Sequence, residues 1–173
     1  MEELELTYLA KELPNGLKNA RSKEMLDIYI PASSAHPTLR IRKIGERLEI
    51  TKKQPIKEGD ASHQLETTIP LTKEEYAELS RLAGKRVEKI RYYYEESNVN
   101  YEIDVFRGGL EGLVVVDVEF DSHEKKVAFK APGWCLVEIT QEEFIAGGML
   151  CGKDYSDIGE KLKKFGYKKL HAR

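Results

Sequence analysis

The chain is poor in cysteine, lacks long apolar runs and carries no excess of positive charge, and each shortage removes a class of function. Only two cysteines occur among 173 residues, Cys135 and Cys151, and they do not have the spacing of a metal finger. Free thiols in a cytoplasmic protein are the expectation. No segment approaches the roughly 18 consecutive apolar residues of a membrane helix. No charged-then-apolar N-terminus resembles a signal peptide, so no membrane partner is expected. Lys and Arg number 28 against 30 Asp and Glu, a formal net charge of −2. A bulk basic surface for nucleic acid is therefore not indicated. There is no G-x-x-x-x-G-K-[ST] loop, so any phosphate site is not a P-loop. His36, His63, His123 and His171 show no ligand spacing and are expected on the surface or in loops. No serine or cysteine has a paired base that reads as a nucleophile system. With no repeat and no low-complexity linker, one domain spanning 1–173 is expected.

What the chain has is alternation, the period of a strand with two different faces. Glu3 to Thr7, Thr38 to Arg42, Leu48 to Lys53 and His63 to Ile69 follow it, with Gly45 in a hairpin turn and Pro70 as a stop. Val87 to Glu95 and Val99 to Arg107 form a long hairpin about Ser97-Asn98. Leu113 to Phe120 and Cys135 to Ile139 complete the strands. Helices are expected in four places. The first, over roughly Leu17 to Leu26, crosses between strands. The second is capped by Thr72, with Glu75 completing a capping box, and runs to Leu82 or Ala83. A third follows Thr140, with Glu143 in the same relation. The last is basic, beginning at Asp157 and placed over about 157–170. Its lysines, Lys161, Lys163 and Lys164, read as a solvated face, and Tyr92, Tyr93 and Tyr94 as strand packing. About eight antiparallel strands with a few helices make an α+β domain able to close into a barrel.

The unusual feature is charge of one sign along whole strands. Glu3 and Glu5 share a face, as do Glu102 and Asp104, and Asp117 and Glu119. Against them stand Arg40 and Arg42, Lys89 and Arg91, and Lys53. Like charges two apart on one face repel. They are tolerable beside strands of opposite sign or around a bound ion. The carboxylates are hard oxygen donors suited to Mg²⁺ or Mn²⁺. The facing guanidinium and ammonium groups suit phosphate oxygens. A polyphosphate is too negative for carboxylates alone to approach, so a metal between them is implied.

The ordered motifs resemble the CYTH superfamily, the triphosphate tunnel metalloenzymes related to class IV adenylate cyclases and thiamine triphosphatases. Glu3-Leu4-Glu5-Leu6-Thr7 resembles E-x-E-x-K. Leu39 to Gly45 resembles L-R-x-R-x-x-G, and Ile50 to Lys53 resembles L-T-x-K. Tyr101 to Phe106 is similar to W-x-I-D-x-F, and Gly112 to Glu119 to G-L-x-x-A-E-x-E. The bacterial tripolyphosphatase-like branch looks nearest. The resemblance implies an eight-stranded antiparallel closed β-barrel, a triphosphate tunnel with flanking helices. It implies Glu3, Glu5, Asp117 and Glu119 as metal ligands, with Asp104 assisting. It implies Arg40, Arg42, Lys53, Lys89 and Arg91 as phosphate-binding cations, and Mg²⁺ or Mn²⁺ as cofactor. Tyr29 is the tyrosine expected to act in catalysis with Glu3 and Glu5. The implied activity is hydrolysis of inorganic or small organic triphosphate by a monomer or homodimer. Thr7 departs from the pattern, standing where the signature lysine of the branch belongs. That departure keeps a polyphosphate- or nucleotide-binding module with little turnover as an alternative, and adenylate cyclase as a third.

Overall fold

A computed structural model describes residues 1–171; positions 172 and 173, the last two of the expected domain, lie outside the described residues. Nine strands form one antiparallel sheet: β1 (Glu2–Ala10), β2 (Arg21–Ile30), β3 (Leu39–Ile44), β4 (Arg47–Pro55), β5 (His63–Pro70), β6 (Lys85–Glu96), β7 (Val99–Phe106), β8 (Val114–Phe120) and β9 (Cys135–Glu138). The spatial order is β5-β4-β3-β2-β6-β7-β8-β1-β9, and β5 also pairs with β1. That last pairing closes eight strands into a barrel. The N-terminal half of β1 takes β5, with Glu3 opposite Gln64. Its C-terminal half takes β9 on the edge that β5 leaves, with Tyr8 opposite Glu138. No edge of β1 is therefore left bare.

The alternation decides which residues face the axis. On β8, Val114, Val116 and Val118 are fully buried outside the barrel while Asp117 faces inward. The outward valines pack with Tyr8, Ile103, Val105 and Trp134 under the loops that carry Leu17 and Phe129. Burying each valine contributes about 2 kcal/mol, which offsets part of the cost of the charged lining. A second core lies at one end of the barrel. There Val87, Phe106 and Val115 pack beneath Ile145, Leu150, Ile158 and Leu162 of the C-terminal segment. This apolar layer floors the tunnel.

Four short helices accompany the barrel: α1 (Lys73–Leu79), α2 (His123–Ala128), α3 (Gly147–Leu150) and α4 (Tyr155–Lys164). Thr72 and Glu75 form the expected capping box on α1, although the helix stops at Leu79 rather than near Leu82. The crossing helix expected over 17–26 is absent. A single 3-10 turn covers Leu17–Asn19, and Arg21 onward is β2, paired with β6 from Arg21↔Tyr93 to Tyr29↔Lys85. Two ladders on β2 outweigh the helical propensity of Lys23-Glu24-Met25-Leu26. Thr140 does not cap a helix; its Oγ1 accepts the Thr7 amide at 3.0 Å, tying the C-terminal segment to β1. The terminal helix begins at Tyr155, with Asp154 and Asp157 forming its capping box, and ends at Lys164 rather than near 170. Gly166, at φ 73°, takes the left-handed conformation that ends it. Beyond it, the buried Tyr167 hydroxyl accepts the Val114 amide and donates to the Gly112 carbonyl, both at 2.8 Å. The β6–β7 turn is at Ser97 and Asn98, whose φ values of 53° and 59° suit a tight hairpin.

Candidate active site

The barrel encloses a tunnel of about 700 Å³ lined by side chains from all eight barrel strands. Charge is arranged by arc. The neighbouring strands β4, β3, β2 and β6 carry Lys53, Arg40 and Arg42, Tyr29, and Lys89 and Arg91, with two acids, Asp27 on β2 and Glu49 on β4, among them. The remaining arc, β7, β8, β1 and β5, carries Glu102 and Asp104, Asp117 and Glu119, Glu3 and Glu5, and Glu66. Every candidate site residue named from the sequence faces this one cavity.

On the acidic arc, Glu5 lies opposite Glu119 and Thr7 opposite Asp117 in the β1–β8 ladder. Glu3, Glu5 and Glu119 each bring a carboxylate oxygen within 4.8 Å of the others, and among the described residues this is the one such group found. Desolvation, then Glu102, Glu3 and Glu5, push the Glu119 carboxyl up to about 7. Asp117 is likewise raised, by burial first and then by Glu5 and Asp104. Carboxylates crowded until they resist ionisation fit a divalent cation that would relieve them. The donors are all oxygen, which suits Mg²⁺ or Mn²⁺ rather than a thiophilic metal. A cation already bridges two of them: Lys53 Nζ lies 2.9 Å from Glu3 Oε2 and 2.8 Å from Glu5 Oε2. Burial alone would pull that ammonium down, but Glu5 and Glu3 outweigh it and hold it above its ordinary range.

Each of the other cations is anchored by an acid. Arg42 donates from Nε and Nη2 to the two oxygens of Asp27 at 2.7 and 2.8 Å. Burial would raise the Asp27 carboxyl, but this guanidinium holds it well below the usual range. Arg91 donates to both oxygens of Asp104 at 2.7 Å and also pairs with Glu102. Lys89 shares Asp104. Arg40 donates to Glu66 and to the Tyr29 hydroxyl, both at 3.2 Å. Its buried Nε has no partner among the described residues, a donor left open in the cavity wall. Asp104 therefore sits between Lys89 and Arg91, apart from the Glu3, Glu5 and Glu119 group.

Thr7 has a definite place. Its hydroxyl donates to Asp117 Oδ1 at 2.9 Å, a neutral donor where the signature lysine of the branch would bring an ammonium. Tyr29 is fixed from the other side. A Cβ on Gly147 would collide with its hydroxyl, so only glycine lets α3 seat on it. Three residues of the site escaped sequence reasoning. Asp27 and Glu49 share the inward parity of Tyr29 and of Thr51 and Lys53, which was the available signal. Gly147 offered none, because its neighbour is a residue more than a hundred positions away.

Comparison with known proteins places this arrangement. No protein-family model matches the chain. An inorganic triphosphatase of Nitrosomonas europaea is 33% identical over 145 residues, covering 83% of this chain and 92% of that protein. The chain belongs to the CYTH family. The crystal structure of the inorganic triphosphatase NE1496 matches this CYTH chain with a TM-score of 0.63 at 25% identity, over 87% of this chain and 95% of the other. A putative adenylate cyclase from Bacillus halodurans gives a TM-score of 0.53 at 14% identity, over 99% and 95%, a likeness of fold. Metal dependence is general among triphosphatases of the CYTH family, and the oxygen-rich group at Glu3, Glu5 and Glu119 agrees with it.

Proposed function

We propose that the chain hydrolyses inorganic triphosphate, or a small organic triphosphate, held in the barrel by the basic arc and by a divalent cation on the acidic arc. The observation that carries this reading is the pairing of opposites across one cavity: three carboxylates with oxygens within 4.8 Å face a set of anchored guanidinium and ammonium groups. Glu3, Glu5 and Glu119 would hold Mg²⁺ or Mn²⁺, with Asp117 beside them. When bound, the ion would offset phosphate charge and orient water. Arg40, Arg42, Lys53, Lys89 and Arg91 bind phosphate oxygens. Asp27 holds Arg42, and Asp104 holds Arg91 and Lys89, so the cations are fixed in place before substrate arrives. Tyr29 accepts from Arg40 in the wall of the same cavity. Burial keeps that phenol above its ordinary pKa, so it serves as a proton-bearing hydrogen-bond donor near neutral pH.

Orthophosphate release from tripolyphosphate, with Mg²⁺, with Mn²⁺ and with a chelator, tests the reading. Glu3→Gln and Glu119→Gln should each abolish metal-dependent release. Retention of full activity by both would remove the ligand assignment. A second reading is favoured by Thr7: a tunnel that grips polyphosphate but turns over slowly. Tight, metal-dependent binding of tripolyphosphate with no product over hours would select it. Cyclic AMP and pyrophosphate from ATP would instead select a cyclase.

A further inference from the structure

We propose that Lys53 is the internal counter-cation of the metal site and must leave it for a phosphate oxygen, so that metal and polyphosphate bind cooperatively. The inference rests on the ligand set proposed above. Lys53 Nζ contacts Glu3 Oε2 at 2.9 Å and Glu5 Oε2 at 2.8 Å. The other oxygen of Glu5 accepts Gln64 Nε2 at 3.1 Å, so each oxygen of Glu5 already has a donor. A divalent cation entering here meets a positive charge on two of the three carboxylates it needs. Coulomb repulsion in a half-buried site is strong, and the neutral Gln64 amide offers no comparable resistance.

The lysine stem is flexible enough to withdraw, but its nearest cross-strand acid is already engaged. Glu66 lies directly across the β4–β5 ladder from Lys53. Both of its oxygens are occupied, Oε2 by Arg40 and Oε1 by the Thr68 hydroxyl. A polyphosphate in the tunnel supplies an anion in place of the carboxylates. Lys53 then gives up its carboxylates and gains a phosphate oxygen in one motion. By linkage, the phosphate raises metal affinity and the metal raises phosphate affinity by the same factor.

The test measures Mn²⁺ affinity by titration calorimetry for the unaltered protein, Lys53→Met, Lys53→Gln and Glu119→Gln, each with and without inorganic sulfate as the oxyanion. Without sulfate, Lys53→Met and Lys53→Gln should bind Mn²⁺ about ten-fold tighter than the unaltered protein. Sulfate should tighten Mn²⁺ binding more in the unaltered protein than in either variant. If Glu119→Gln weakens Mn²⁺ binding while the Lys53 variants bind no tighter than the unaltered chain, the role of Lys53 is overturned and the ligand set stands. If Glu119→Gln leaves Mn²⁺ affinity unchanged, the ligand set itself has failed. Should both lysine variants misfold, the ¹⁵N signal of the Lys53 ammonium in the unaltered protein decides. Mg²⁺ and sulfate together must shift it by more than the sum of their separate effects, and simple additivity overturns the proposal.

Discussion

Replacing Asp104 by Asn should cost the metal-free protein about 3 kcal/mol of stability and make it depend on bound anions. Asp104 is 1% exposed, accepts two bonds from Arg91 at 2.7 Å each, and shares its charge with Lys89. Burial would raise its pKa, yet Arg91 and then Lys89 pull it from 3.8 down to about 2. That difference corresponds to roughly 2 to 3 kcal/mol in favour of the folded carboxylate. The amide keeps the shape and loses the charge, leaving two buried cations face to face, a defect that costs about 3 to 5 kcal/mol in other buried pairs. Arg91 retains Glu102 and Asp117, which argues for the lower end. For a chain of this size, thermal denaturation should show Tm lowered by roughly 6 to 12 °C. Tripolyphosphate should restore more of the loss in the variant than it adds to the unaltered protein, because phosphate supplies the missing anion. The pH dependence has a fixed sign. A depressed carboxylate stabilises above its unfolded pKa of 3.8 and ceases to do so as pH falls through about 2, so the two proteins should converge over that window. A Tm within about a degree of the unaltered protein at neutral pH would refute this account of the Lys89–Asp104–Arg91 cluster.

Three further outcomes follow from the same geometry. Thr7→Lys should raise the turnover of tripolyphosphate by placing an ammonium beside Asp117 in the tunnel; an unchanged or lower kcat in a folded variant would show that Thr7 does not limit the rate. Gly147→Ala should displace the Tyr29 hydroxyl from Arg40 and lower kcat about ten-fold or more, with a Tm loss of a few degrees, because the added Cβ occupies the position of that hydroxyl; wild-type kinetics would refute the seating of α3 on Tyr29. Mn²⁺ affinity should rise as pH increases through about 7, with proton release on binding, because Glu119 is pushed up to about 7 and must ionise to serve as a ligand. Calorimetry in buffers of different ionisation enthalpy checks this last outcome, and a pH-independent affinity would remove Glu119 from the ligand set.

The barrel was legible in the sequence because two signals coincide on the same strands. Period-two alternation marked β8 as a strand, and its inward Asp117 and Glu119 between buried valines marked it as a tunnel wall. β2 was half hidden. Lys23-Glu24-Met25-Leu26 favours helix locally, and only the ladders to β3 and β6, set by residues far along the chain, make it a strand. The charged residues could be named individually, but their pairing could not. Nothing in the spacing of Asp27 and Arg42, or of Glu3 and Lys53, announces an ion pair; the β2–β3 register sets the first, and closure of the barrel through β5 and β1 creates the second. The same holds for Thr140, whose hydroxyl serves the β1 amide of Thr7, 133 residues away, rather than a helix of its own.

The central claim is that the two charged arcs act together on a triphosphate through a divalent cation. Orthophosphate release from tripolyphosphate, followed as Mg²⁺ or Mn²⁺ is added to the metal-free protein and compared with Glu3→Gln, tests it most directly. The account predicts release that appears only with the metal and disappears in the variant. Release that proceeds in chelator, or that survives Glu3→Gln unchanged, would contradict it.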